Sequence, residues 1–263
     1  MTKEAKKVIW ITGASSGLGR SLALKLAEQG NQVIASARSQ QALDELAVQN
    51  SNIVALPCDI TDASSLESLR GCIVEVSPHL DQVILNAGNC EYLDFPNPDW
   101  EAVRRVMEVN FFGTVNCVQM ALPLLRKSNS GRAHIVAVAS QVTAAPFPRA
   151  EAYGASKAAM QYFFDSLRID LAAEDIDVTV VNPGFVDTPL TRKNDFDMPF
   201  LMDVEQAVSR IVKNIEARPM RYSFPLRLSA LLSLSKIMPR RWQKMVAPGN
   251  DYSNTESNQR AGK

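Results

Sequence analysis

Val8-Ile9-Trp10-Ile11-Thr12-Gly13-Ala14-Ser15-Ser16-Gly17-Leu18-Gly19 is the stretch that decides the fold. Its first four residues are apolar without a break. A strand of that kind is buried on both faces, as in a parallel sheet covered by helices. The run passes directly into a T-G-x-x-x-G-x-G turn, and a helical pattern starts at Gly17. Glycines in such a turn allow a tight reversal, a close approach of backbone to a pyrophosphate, and close helix–strand packing. The helix start adds free N–H groups and a positive dipole end. Gly13, Ser15, Ser16, Gly17, Leu18 and Gly19 are therefore expected to form a phosphate-binding turn. A glycine-rich turn alone would also suit an ordinary loop; its place between a predicted strand and a predicted helix is what gives it weight.

Working outward, the same alternation repeats. Further short apolar runs span Gln32–Ala35, Ile53–Leu56, Gln82–Leu85, His134–Ala139 and Asp177–Val181. Between them lie helical patterns over Gly17–Gln29, Gln40–Gln49, Ala63–Val76, Asp99–Arg126 and Ala152–Ala173. Strand–helix–strand units with right-handed crossovers build an α/β fold, a doubly wound parallel sheet with helices on both faces. The rhythm alone would also allow a β/α barrel. Beyond Val181, prolines mark an irregular region, followed by a helix near Asp203–Ala217 and a last strand at Arg221–Phe224. Residues 1–246 read as one Rossmann-type domain. Within it, 190–245 form a substrate flap and a C-terminal extension. The polar stretch 247–263 is expected to be disordered.

The chain has 263 residues, 46% of them hydrophobic, with 28 basic and 28 acidic side chains. That apolar content suffices for a continuous core, and zero net charge gives no push toward nucleic acid. Cys58, Cys72, Cys90 and Cys117 show no metal spacing, and His79 and His134 are far apart, so no metal is expected. Scattered thiols and the lack of a signal-like or membrane-spanning run point to a cytoplasmic protein.

Three positions carry the chemistry. At the end of the second strand, where an NAD-binding unit places a carboxylate, the sequence reads Ala35-Ser36-Ala37-Arg38-Ser39. A guanidinium grips a 2′-phosphate that a carboxylate would repel, so Arg38, with Ser15 and Ser39, points to NADP(H). Tyr153 and Lys157 lie one helical turn apart. An ammonium beside the phenol is expected to lower its pKa and make it a usable acid or base. Ser140 ends a strand on the edge where open α/β sheets bind ligands, and can hydrogen-bond a substrate oxygen.

With these residues the chain resembles the compact type of short-chain dehydrogenase/reductase, over roughly Lys7 to Thr188. Thr12–Gly19 matches the family's glycine motif. Leu85-Asn86-Ala87-Gly88 is similar to its Asn-Asn-Ala-Gly motif, with leucine first. The resemblance implies that Asp59 contacts the adenine amino group, with Ile60 beside it in the cofactor site. It implies that Asn86, Ala87 and Gly88 line that site. Pro183, Gly184, Val186 and Thr188 would hold the nicotinamide carboxamide. It implies a catalytic tetrad of Asn110, Ser140, Tyr153 and Lys157. Tyr153 transfers the proton, Ser140 orients the substrate oxygen, Lys157 binds the ribose, and Asn110 holds a relay water. It further implies seven parallel strands in the order 3-2-1-4-5-6-7. A homodimer or homotetramer would form through the two long helices.

The expected reaction is NADP(H)-dependent reduction of a ketone or aldehyde, or oxidation of the alcohol. The small apolar loop Gln141–Pro148 suits an apolar substrate, and Leu190–Pro199 is expected to be a mobile flap. The apolar, basic segment Leu226–Met245 suggests either a cover over the cleft or weak contact with a membrane surface. The alternatives are an NAD-linked alcohol dehydrogenase, a nucleotide-sugar epimerase or dehydratase, and a non-catalytic NADP(H)-binding redox sensor.

Overall fold

Strand β1 (Val8–Thr12) is buried along its whole length, and its side chains alternate between two cores. Val8 and Trp10 face one side of the sheet, and Ile9 and Ile11 the other. Period-two alternation of apolar residues on both faces is what a strand needs when helices cover both sides. Trp10 is fully buried, and its indole Nε1 donates to Ser36 Oγ at 3.0 Å on the neighbouring strand.

The computed structural model describes residues 6–247. The tail read as disordered lies, from 248 onward, outside the described residues. After β1 come α1 (Gly17–Glu28), β2 (Gln32–Ser36), α2 (Gln40–Ala47), β3 (Ile53–Ala55), α3 (Ala63–Val76) and β4 (Gln82–Leu85). Then follow α4 (Glu101–Met107), α5 (Gly113–Leu125), β5 (Ala133–Val138), α6 (Glu151–Leu171), β6 (Ile176–Pro183), α7 (Val204–Ile215) and β7 (Arg221–Phe224). Two helices close the described chain, α8 (Leu226–Ile237) and α9 (Pro239–Val246). The seven strands form one sheet in the order β3-β2-β1-β4-β5-β6-β7, every neighbouring pair parallel. This is the fold class and strand order expected from the sequence. The chain winds outward from β1 to β3 and then crosses back to β4, so a crevice opens between the C-terminal ends of β1 and β4.

The two cores separate cleanly. Leu69, Ile73, Leu124, Met160 and Phe164, from α3, α5 and α6, pack on the Trp10 side. Leu22, Leu26, Leu43, Val208 and Ile211, from α1, α2 and α7, pack on the Ile9 side. A third, smaller cluster joins Leu228, Leu232 and Trp242 to Ala145, with Phe147 and Phe185 packed against it.

Two helical predictions need correction. The single helix expected over Asp99–Arg126 is two helices joined by one wide turn, Glu108–Phe112, in which Gly113 N–H bonds back to Glu108. A turn of this kind holds one extra residue and recurs at functional sites; Asn110 sits inside it. The segment Leu226–Met245 bends at Met238, where Pro239 begins α9. Proline supplies no N–H to continue α8 but suits a first helical position.

Candidate active site

The turn after β1 is shaped by what its glycines leave out. Gly13 adopts φ +68°, and a Cβ there would lie 2.8 Å from the Ala87 backbone. A Cβ on Gly19 would stand 2.3 Å from the Gly13 carbonyl. Any side chain at either place would force the turn away from the sheet. Asn86 completes the fastening: its Nδ2 donates to the carbonyls of Thr12 and Gly13, each at 3.2 Å. The Thr12 hydroxyl accepts in return from the N–H groups of Asn86 and Ala87.

Helices α2, α3 and α7 have their first N–H groups capped by Ser39, Asp62 and Asp203. Helix α1 has no side-chain cap and no acidic residue in its first turn. Its free N–H groups open into a cleft of about 460 Å³ that runs from Arg38 past Gly13 to Lys157 and Thr188. An uncapped helix start above a glycine cradle fits a phosphate-bearing dinucleotide. Arg38 and Ser39 are exposed at one end of this cleft, beside the start of α2.

Nearly all the residues assigned to the cofactor from sequence line the cleft. They are Gly13, Ser15, Ser16, Gly17, Leu18, Arg38, Ser39, Asp59, Ile60, Asn86, Ala87, Gly88, Tyr153, Lys157, Pro183, Gly184, Val186 and Thr188. Gly19 does not. It is buried under the turn and is a packing position. Asp59 Oδ1 accepts from the N–H and the hydroxyl of Thr61, which fixes its carboxylate at the cleft wall.

Asn110 also lies behind the wall, fully buried. Its Oδ1 accepts from Asn89 N–H at 2.8 Å, and its Nδ2 donates to Asn89 O and to Ser156 Oγ, each at 2.9 Å. The wide turn frees its carbonyl, which accepts from the Thr114 hydroxyl at 2.7 Å. A methyl on Gly88 would lie 3.1 Å from Asn110 Oδ1 and 3.4 Å from Lys157 Nζ, so these two groups flank one small space.

Ser140, Tyr153 and Lys157 face the cleft together. The Ser140 Oγ accepts from Val142 N–H at 3.1 Å, which caps the turn after β5. That bond occupies a lone pair and leaves the hydroxyl proton to point elsewhere. Lys157 Nζ donates to the Val138 carbonyl at 3.0 Å and sits 5.9 Å from the Tyr153 ring centre. The expected lowering of the tyrosine pKa is not what this geometry gives. Burial pushes the phenol up to about 12, with the Cys90 thiol adding to the rise and a hydrogen bond with Ser140 opposing it. Burial pulls Lys157 down to about 8. The walls that make a dry site disfavour charge on both groups, and the ammonium is not in contact with the phenol oxygen.

A second cavity, of about 570 Å³ and mostly apolar, opens on the other side of Tyr153. Sequence reading missed most of its wall. Cys90 and Tyr92 come from the loop after β4, Phe185 and Phe196 from the region after β6, and Leu228 and Trp242 from α8 and α9. Trp242 Nε1 donates to the Pro146 carbonyl at 2.8 Å, and its ring meets Phe147 edge-on. The segment expected to be a flap is tied at both ends: Val186 bridges Met202, and the Tyr92 hydroxyl donates to Asn194 Oδ1 at 2.7 Å. Arg149 adds ion pairs to Asp94 and Asp195 and lies over the Tyr92 ring.

Residues 7–198 match the short chain dehydrogenase family. The chain is 36% identical over 244 residues to an uncharacterized oxidoreductase of Myxococcus xanthus, spanning 91% of this chain and 95% of that one. It is 34% identical over 196 residues to 11-beta-hydroxysteroid dehydrogenase 1A of Arabidopsis thaliana, spanning 72% of this chain and 55% of the plant protein. A crystal structure of a short chain dehydrogenase from Burkholderia cenocepacia in complex with NADP is similar at a TM-score of 0.80. That match is 26% identical and covers 94% of this chain and 100% of the other. This protein therefore belongs to the short-chain dehydrogenase family. It is an oxidoreductase of a family that binds a nicotinamide cofactor and acts on small molecules.

Proposed function

We propose that the protein uses NADP(H) to reduce an apolar ketone or aldehyde, or to oxidise the corresponding alcohol. One observation carries this reading: Ser140 and Tyr153 line both the polar cleft and the apolar cavity, at the place where the two meet. A carbonyl held there has its carbon toward the cleft and its apolar body in the cavity. When bound, the nicotinamide supplies or takes the hydride. The neutral Tyr153 phenol gives its proton to the carbonyl oxygen, and Ser140 donates a hydrogen bond to the same atom. Lys157 holds the ribose end of the cleft. Asn110, buried behind Gly88, fixes the Asn89 loop and does not touch substrate.

The preference for NADP(H) rests on Arg38 and Ser39 standing free at the far end of the cleft, where a 2′-phosphate would lie. The exposed apolar residues Phe112, beside α5, and Tyr162 and Ile169, on α6, support self-association through these helices as a homodimer or homotetramer. Four free thiols, two of them buried, fit a reducing compartment such as the cytoplasm.

The test is oxidation of NADPH and NADH with a panel of apolar ketones, aldehydes and quinones. NADPH should drive turnover, Tyr153→Phe should bind NADPH but abolish it, and Arg38→Glu should move the preference toward NADH. Tighter binding of NADH by the wild type would favour the NAD-linked alcohol dehydrogenase instead. NADPH binding without turnover of any compound would favour the redox sensor.

A further inference from the structure

Helix α8 carries leucines on two faces. Leu228 and Leu232 turn inward, onto the wall of the apolar cavity. Leu226, Ala230, Leu234 and Ile237 follow at intervals of four, four and three, which places them in one stripe on the opposite side. All four are exposed, Leu226 and Ile237 to 76% and 75%. The stripe has no protein partner to bury it, and contiguous apolar surface of this kind marks an interaction site.

The charge around it is one-sided. Residues 226–246 hold five cations, Arg227, Lys236, Arg240, Arg241 and Lys244, and no carboxylate. All five are exposed, and none forms an ion pair among the described residues. Because the whole chain is neutral, the rest carries the compensating excess of five negative charges. The molecule is thus polarised, with the α8–α9 hairpin as its positive end.

We propose that the outer face of this hairpin docks on an anionic lipid bilayer. Leu226, Leu234 and Ile237 enter the boundary between headgroups and acyl chains, and the five cations meet the headgroups. No described helix is long and apolar enough to cross a membrane, so the contact is peripheral. A second copy of the chain fits this face poorly, since a symmetric pairing would oppose two sets of five like charges. An acidic protein partner fits less well than lipid, because the stripe offers neither a polar donor nor an aromatic anchor. Trp242, the one aromatic side chain of the hairpin, is turned inward. The negative remainder of the molecule faces away from the surface and fixes the orientation. Met245 and Phe196 line the cavity and remain 63% and 43% exposed, so the cavity mouth opens beside the docked face. Its use for a lipid-dissolved substrate rests on the proposed function; the docking does not.

The test is co-sedimentation of the full chain with vesicles of phosphatidylcholine alone and of phosphatidylcholine mixed with phosphatidylserine. Binding should appear with the mixed vesicles and weaken as salt is raised. Each cation is worth roughly fivefold in partition, so Arg240→Glu/Arg241→Glu/Lys244→Glu should lower binding by about a hundredfold or more. Leu226→Ser/Ile237→Ser should abolish it. Thermal melts and light scattering should show both variants folded, with the wild-type mass. No binding to anionic vesicles, or binding that neither variant changes, overturns the proposal. So does a change of oligomeric mass in the variants, which would assign the face to a second copy.

Discussion

The Ser156 hydroxyl joins Asn110 to the helix that bears Tyr153: it accepts from Asn110 Nδ2 at 2.9 Å and donates to the Tyr153 carbonyl at 2.8 Å. Ser156 is fully buried. No motif singled it out, yet it sets the distance between the wide turn and the first turn of α6. Ser156→Ala removes both bonds and leaves Asn110 Nδ2 with one partner. A loss of about 1–2 kcal/mol in stability is expected from a buried hydrogen-bonding group left short. Turnover should fall while NADPH affinity holds. Urea unfolding and steady-state kinetics check this, and an unchanged kcat would contradict it.

Gly88 carries the space shared by Asn110 and Lys157. Its φ is not in the left-handed region, so Gly88→Ala costs no backbone strain, but the new methyl presses on both polar groups. We expect a drop of tenfold or more in kcat, with the melting temperature within a few degrees of wild type. A variant as active as wild type would show that the space has no role.

Lys157 costs stability. Its native pKa of about 8 lies below the ordinary value of 10.5, so below pH 8 the folded chain bears a penalty that the unfolded chain does not. The penalty is at most about 3 kcal/mol, and it disappears as pH rises from 8 to 10.5. Lys157→Met should therefore be inactive yet more stable at pH 7, by about 1–3 kcal/mol, after allowing for the lost bond to Val138. The gain should vanish near pH 10. Denaturant midpoints at the two pH values decide it; equal differences at both would refute the burial argument.

His134 works in the opposite pH range. Burial pulls its pKa down from 6.5 to about 3. Thr179 Oγ1 donates to the Pro219 carbonyl, so His134 Nε2–H must be the donor to Thr179, and Nδ1 accepts from Gln82 Nε2. The ring is held neutral in one tautomer across three strands. Below pH 6.5 the unfolded chain takes a proton that the native ring refuses, so stability falls between pH 6.5 and 3, by up to roughly 4–5 kcal/mol. His134→Gln should flatten that part of the acid unfolding curve while costing about 1–2 kcal/mol at pH 7. Parallel acid profiles for the two proteins would count against it.

Legibility from sequence followed the range of the interaction. The sheet, the glycine turn and the approach of Tyr153 and Lys157 are local: continuous apolar runs, a turn motif and one-turn helical spacing. What escaped depends on residues far apart. Trp242 meets Pro146 across 96 positions, and Tyr92 meets Asn194 across 102. No periodicity encodes such pairs. The direction of the Tyr153 shift escaped for a related reason: spacing shows that a lysine is near, whereas burial, which outweighs it here, belongs to the assembled walls. The two-faced character of α8 was hidden too, since leucines at every angle read simply as apolar.

The wide turn at Glu108–Phe112 also fixes the length of the chain around the site. Deleting one residue there would merge α4 and α5 into a single regular helix, but would rotate everything after the cut by about 100°. Cys117, Ala121 and Leu124 would then swing off the sheet. The extra residue thus acts as a phase shifter between two helical segments that must each meet the same core, and Asn110 reaches its position because the phases do not match.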